Sequence, residues 1–102
     1  MFIEEEFLEK VAYVLASEHR TNIILFLGDG LHTPKQIGDA IDVRTNHISN
    51  LLAQLRKYDL VYCATPNIKK GRLYTTTEDG KRVLKYIEEK QSWLKSNSVI
   101  ST

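Results

Sequence analysis

The feature that most constrains this chain is a pair of helix signatures with almost nothing between them. Thr33-Pro34-Lys35-Gln36 is a helix start, with Thr as the cap, Pro at the first helical position and Gln three residues after the cap. The helix it opens is short, is expected to bury Ile37, Ala40 and Ile41, and stops near Asp42. A second helix follows from about Arg44 or Thr45 to Tyr58, with Ile48, Leu51, Leu52 and Leu55 at the spacing of one buried face. Only the residues around Asp42-Val43 join the two. Helices connected so tightly must turn sharply and share one core.

The flanking segments extend the pattern. Ile3, Phe7, Val11, Val14 and Leu15 recur at steps of three and four, which predicts a helix from Ile3 to Ala16 with its acidic residues in the first turns. Ser17 is placed to cap the next helix, which turns Ile23, Ile24, Phe26 and Leu27 inward and ends at Gly28-Asp29-Gly30. After Asp59, Leu60–Thr65 reads as a strand, Pro66-Asn67 as a turn, Lys69-Lys70-Gly71 as a basic hairpin tip and Arg72–Thr76 as the returning strand. Thr77 caps a last helix, with Glu78 and Asp79 in its first turn and Val83, Leu84, Ile87 and Leu94 on its apolar side.

The predicted fold class is therefore mainly α with a small β-hairpin: a winged helix-turn-helix with additional N- and C-terminal helices. At 102 residues the chain suits one domain. Within it, residues 1–16 form the N-terminal helix, 17–77 the helix-turn-helix and wing, and 78–95 the C-terminal helix.

Several function classes fall away. A single cysteine, Cys63, excludes an internal disulfide framework and reads as a small strand residue, with a thiol redox sensor as the alternative. His19, His32 and His47 fall on different elements with no carboxylate at ligand spacing, so neither an intrachain metal site nor a cofactor is expected. The sequence has no glycine-rich phosphate loop and no nucleophile-base pattern, so no enzyme is expected. The longest uninterrupted apolar run is Ile23–Leu27, far short of the roughly 20 residues of a membrane span, and an acidic start is unlike a signal peptide. A cytoplasmic protein with no membrane partner follows as the expectation.

Net charge is only +1, but it is segregated. Residues 1–18 carry five glutamates against one lysine, whereas residues 44–85 carry nine Lys and Arg against three Asp and Glu. A basic half on a nearly neutral protein is what phosphate binding by one face requires. With Ile48 set inward on the fourth helix, Asn46, Asn50, Ala53 and Lys57 point away from the core, and His47, Ser49 and Gln54 lie on the flanks. Asn and Gln can bond an adenine edge through donor and acceptor together, and Ser and His can bond a base or a phosphate.

Arg20–Leu27, Thr33–Ile41, Ile48-Ser49-Asn50-x-Leu52-x-x-Leu55, Leu60-Val61 and Gly71-Arg72-Leu73-Tyr74 together resemble winged-helix transcriptional regulators of the ArsR and MarR type. The likeness covers roughly residues 17–86 and is closest to small archaeal regulators of that superfamily. Tyr74–Gly80 followed by Lys81-Arg82-Val83-Leu84 is similar to the family's exit from the wing. Asp59 stands where the family commonly has Gly, Leu51 where many ArsR members have His, and the paired cysteines of metal-sensing members are missing.

The resemblance implies that Thr45, Asn46, Ser49 and Asn50 read bases, and that Lys69, Lys70 and Arg72 follow the phosphates from the wing. His47 and Gln54 join the expected base readers, and Thr33, Lys35, Arg44 and Lys57 the expected backbone contacts. Partners are then double-stranded DNA and a second copy of the chain. Phe7, Val11, Leu84, Ile87, Trp93 and Leu94 are expected at the subunit interface, while any small-molecule effector is unspecified. The expected function is sequence-specific repression by a homodimer. Two rivals predict different surfaces: a protein-contact module would have an apolar outward helix face, and an architectural chromatin protein would stud it with lysines.

Overall fold

The computed structural model describes the backbone of residues 4–100 and the side chains of residues 4–91. In chain order the elements are α1 (Glu5–Leu15), α2 (Glu18–Leu27), α3 (Pro34–Ile41), α4 (Thr45–Lys57), β1 (Val61–Cys63), β2 (Tyr74–Thr76) and α5 (Glu78–Ile100). This is a mainly helical winged helix-turn-helix, as the patterning predicts.

Local chemistry fixes most element ends. Ser17 Oγ accepts from the Arg20 N–H at 3.2 Å and starts α2. At α3, Thr33 Oγ1 accepts from Gln36 N at 3.1 Å while Gln36 Oε1 accepts from Thr33 N at 2.9 Å, a reciprocal capping box. Asp42, with φ 60°, ends α3, and Asp59, with φ 57°, takes the left-handed turn after α4. Aspartate tolerates that conformation better than most residues, so Asp59 costs the turn little. Thr77 Oγ1 accepts from Gly80 N at 3.0 Å to cap α5 and donates to the Asp59 carbonyl at 2.6 Å, tying the helix start to the turn before the wing.

A single cluster forms the core. Val14 from α1, Ile23, Ile24 and Leu27 from α2, Ile37 from α3, Ile48, Leu52 and Leu55 from α4, Leu60 and Val61 at the wing, and Val83 from α5 are all buried. The helix-turn-helix closes at Gly38. A Cβ there would stand 2.5 Å from the Val43 carbonyl oxygen and 3.5 Å from Ile48 Cγ1. Only a residue without a side chain lets α3 approach the start of α4 this closely.

The packing corrects three sequence expectations and adds a contact that none of them covers. Ala40 is exposed; α3 buries Gly38 beside Ile37 instead, because the close approach to α4 falls on that face. Leu15 is 51% exposed, since it lies about 80° round the helix from Phe7 and off the Phe7–Val11–Val14 stripe. The strands are three residues each rather than five or six. Past Cys63 one further backbone bond, Ala64 N–H to the Leu73 carbonyl at 2.8 Å, is followed by a side-chain bond, Leu73 N–H donating to Thr65 Oγ1 at 2.9 Å. Finally, β2 has a second partner that no local pattern announces. His32 exchanges both backbone bonds with Tyr74, at 3.1 and 2.8 Å, and makes a one-residue third strand.

Of the residues expected at a subunit interface, Phe7, Val11 and Ile87 are buried in the chain's own core and Leu84 is half-buried against it. The reason is that α1 and α5 pack on each other, Phe7 lying edge-on to Tyr86 at 5.9 Å between ring centroids. These four side chains have little surface left for a partner. Trp93 and Leu94 lie outside the described side chains. Among the described residues, no helix is long and apolar enough to cross a membrane.

Candidate nucleic-acid interface

The outward face of α4 is built by the same turn that buries its inner face. Ile48, Leu51, Leu52 and Leu55 are buried, and Asn46, Ser49, Asn50, Ala53 and Lys57 are exposed. The helix start carries no side-chain cap, so the first N–H groups of α4 beside Thr45 remain available to an anion.

Between this helix and the wing lies a cleft of about 580 Å³. Its walls are Thr33, Pro34 and Lys35 from the start of α3, Thr45 and Ser49 from α4, and Lys69, Gly71, Arg72 and Tyr74 from the wing. The cleft thus gathers six of the residues expected to touch DNA: Thr33, Lys35, Thr45, Ser49, Lys69 and Arg72. Two helix N-termini and three cations converge on one concave surface, an arrangement that favours negative charge.

The wing tip is shaped by its own bonds. Arg72 Nε donates to the Ile68 carbonyl at 2.7 Å, which fixes the guanidinium and leaves its terminal nitrogens free to donate elsewhere. Gly71 takes φ 69° at the tip with open space around its missing Cβ, so backbone conformation rather than crowding selects glycine there. Lys69 and Lys70 are exposed. Lys35 is shared: its ammonium pairs with Asp39 at 3.3 Å, both side chains being largely in solvent.

The remaining candidates are placed differently. Arg44, Asn46 and Asn50 are exposed beyond the cleft wall. Lys57 lies at the far end of α4 beside Glu6, Glu9 and Asp59, where acidic neighbours offset its charge. Gln54 Oε1 stands 3.5 Å from both Tyr13 Oη and an Arg20 terminal nitrogen, so it is oriented toward α1 and α2 rather than toward the cleft. That corner is organised by residues whose role the sequence conceals. Tyr13 stacks on Tyr58 at 3.8 Å, the Arg20 guanidinium lies 3.9 Å over the Tyr13 ring, and Arg20 Nε donates to the Tyr13 carbonyl at 2.8 Å. Their pairing depends on tertiary approach and leaves no local pattern. Pro34 and Tyr74, which sequence patterning does not mark as site residues, form the apolar part of the cleft.

His47 does not stand alone on its flank. Its ring meets that of His19, edge to face, with centroids 5.4 Å apart. The scatter of these histidines along the sequence therefore disappears on folding, except that His32 packs separately against Phe26 at 4.4 Å.

No family model and no curated protein matches the sequence. Among solved structures, the chain is similar to a candidate MarR-family regulator from Enterococcus faecalis V583, with a TM-score of 0.80 and 15% identity over 99% of this chain and 94% of that one. It is also similar to the homodimeric winged helix-turn-helix DNA-binding domain of Mb0332 from Mycobacterium bovis, a candidate ArsR-family regulator, at 0.70 and 20% over 85% and 80%. A third similarity is to a mutant of Lactococcus lactis ZitR, at 0.69 and 16% over 82% of this chain. The chain spans only 59% of the length of that protein. At these identities the likeness is one of fold, and the fold is the winged helix-turn-helix.

Proposed function

We propose that the chain is a sequence-specific, double-stranded-DNA-binding transcriptional regulator. The observation that carries this reading is the cleft between α4 and the wing. It joins a polar helix face, two helix N-termini and the cations Lys35, Lys69 and Arg72. In this reading α4 enters the major groove, Asn46 and Asn50 face base edges, and the wing follows the adjacent backbone. Thr45 and Ser49 sit where base and phosphate meet, and Arg44 and Lys70 add charge at the margins. His47 flanks this face. The winged-helix regulators that share the fold support the same reading.

A protein-contact module is disfavoured because, apart from small Ala53, every exposed residue of α4 is polar or charged. An architectural protein is disfavoured because Arg56 and Lys57 are the only cations within α4. Nothing in the site has the makings of a catalytic centre, and the reading is not that of an enzyme.

The regulator acts as a homodimer and as a repressor that occupies its operator in the cytoplasm. One recognition helix offers too few base contacts for tight specific binding, and a twofold pair sets two helices about 34 Å apart on one face of the duplex. The buried state of Phe7, Val11 and Ile87 moves the proposed contact to the outer side of α1, where Leu8 and Leu15 are 43% and 51% exposed with Ala12 between them. The far half of α5, which continues to Ile100 beyond Ile87, the last buried residue among the described side chains, lies alongside it in the dimer.

Selection of bound duplexes from a random pool tests the proposal. An enriched sequence with twofold symmetry is the expected result. A pool that stays random would remove sequence-specific recognition, and an enriched single half-site would remove the dimer.

A further inference from the structure

His19 and His47 belong to helices that do not adjoin in the chain, yet each stands in the first turn of its helix, where the backbone is well fixed. His19 is two residues past the Ser17 cap of α2, and His47 three past Arg44 at the start of α4. Both are exposed, and their rings lie 5.4 Å apart between centroids with planes at 88°.

That distance has a chemical meaning. A ring nitrogen lies about 1.1 Å from its centroid and a Zn–N bond adds about 2.0–2.1 Å, so two imidazoles on one tetrahedral ion hold their centroids about 5.2 Å apart. The two rings already stand at about the centroid separation such a pair needs. Turning each exposed ring about its Cβ–Cγ bond keeps that separation while it changes where the ring nitrogens point.

We propose that His19 and His47 form a two-imidazole seat for a late first-row divalent cation of the Ni2+, Cu2+ and Zn2+ group, the ions that imidazole suits. Among the described residues no group of three His, Cys, Asp or Glu side chains gathers. The protein therefore supplies two ligands and water the remaining positions, and the ion binds more weakly than in a four-ligand structural site. The positive ends of both helices work against a cation here, and Glu18 in the first turn of α2 offsets part of that effect. Binding engages both rings, so it takes His47 out of any contact with DNA. This consequence rests on the proposed interface; the site itself does not.

The test is titration of the full chain with Zn2+ alone at pH 7.5, followed by NMR of the histidine rings. The His19 and His47 resonances should shift together and saturate at one ion per chain, with His32 unmoved. His19→Ala and His47→Ala should each weaken binding by about tenfold or more, and the double variant should be little weaker than either single one, because one imidazole without the other is a poor ligand set. Zinc affinity unchanged in either single variant, or saturation at His32 or Cys63 instead, would overturn the proposal. Both residues are exposed, so thermal unfolding of the variants should match that of the parent chain. The titration contains no DNA, so a chain that failed to bind any duplex would leave its outcome intact.

Discussion

The α3–α4 junction and the tip of the wing face each other across one cleft, yet they are held in different ways. At the junction the two helices are in close backbone contact. Gly38 touches the Val43 carbonyl, Val43 N–H donates to the Gly38 carbonyl at 2.9 Å, and the first core residue of α4, Ile48, is fully buried beneath them. The wing past Cys63 is held by a few bonds: Ala64 N–H to the Leu73 carbonyl at 2.8 Å, Leu73 N–H to Thr65 Oγ1, and Arg72 Nε to the Ile68 carbonyl. Near its tip the apolar side chain of Ile68 is 45% exposed. Regions with little buried apolar surface open at low free energy. Helix α4 therefore presents a preset face, while the wing is freer to adjust.

Substitutions that treat the two sides alike should separate them. Leu52→Ala removes a buried side chain from the inner face of α4 and should cost about 2–5 kcal/mol in urea unfolding. Gly38→Ala forces the two helices apart and should cost about 2–4 kcal/mol. Gly71→Ala, at the wing tip, meets open space and bears only the cost of its left-handed backbone, about 1–2 kcal/mol. Equal losses for Gly38→Ala and Gly71→Ala would erase the contrast.

Charge on the wing gives a smaller change in stability but a visible one in binding. Lys69→Ala combined with Lys70→Ala should leave unfolding within about 0.5 kcal/mol of the parent chain. It should flatten the dependence of log affinity on log salt by about 0.9 for each phosphate no longer neutralised, and weaken all duplexes alike. An unchanged slope would take the wing out of the interface.

The smallest effect lies far from the cleft, where Lys10 of α1 bonds Asp79 of α5 at 2.6 Å with Arg82 nearby. The Lys10 hydrogen bond holds the Asp79 carboxyl below its usual range; desolvation opposes this, and the charges of Lys10 and Arg82 reinforce it. A lowered carboxylate stabilises the fold in full above the ordinary value near pH 4, and that contribution is lost as the pH falls through the lowered value. Lys10→Ala should therefore cost under about 1 kcal/mol at pH 6, with the difference from the parent chain shrinking below about pH 4. A difference that grew on acidification would contradict the pairing.

How far the sequence reveals this molecule depends on how local each signal is. Caps, turns and stripes are local, so the Thr33 capping box, the left-handed Asp59 and the buried face of α4 are legible before folding. The His32 strand, the exposure of Ala40 and the Gly38 contact are not, because each depends on an approach between elements. The same division runs through the site. Ser49, Asn46 and Asn50 follow from the phase of one helix, and Lys69 and Arg72 from a hairpin tip, whereas Thr45 comes only from the resemblance. By contrast, helix angle alone puts Gln54 on the flank of that face, and the angle cannot register the Tyr13 and Arg20 side chains it stands against. His19 carries no signal at all until α2 and α4 pack.

The central claim is that α4 reads base edges with its outward asparagines, and one comparison addresses it directly. Asn46→Ala and Asn50→Ala are measured on the duplex enriched by selection and on a random duplex, at fixed salt. Loss of a two-point adenine contact should weaken the selected duplex by about 1–3 kcal/mol and leave the random one nearly unchanged, since phosphate contacts supply most of that binding. Equal weakening of both would mark the asparagines as backbone contacts and contradict the account.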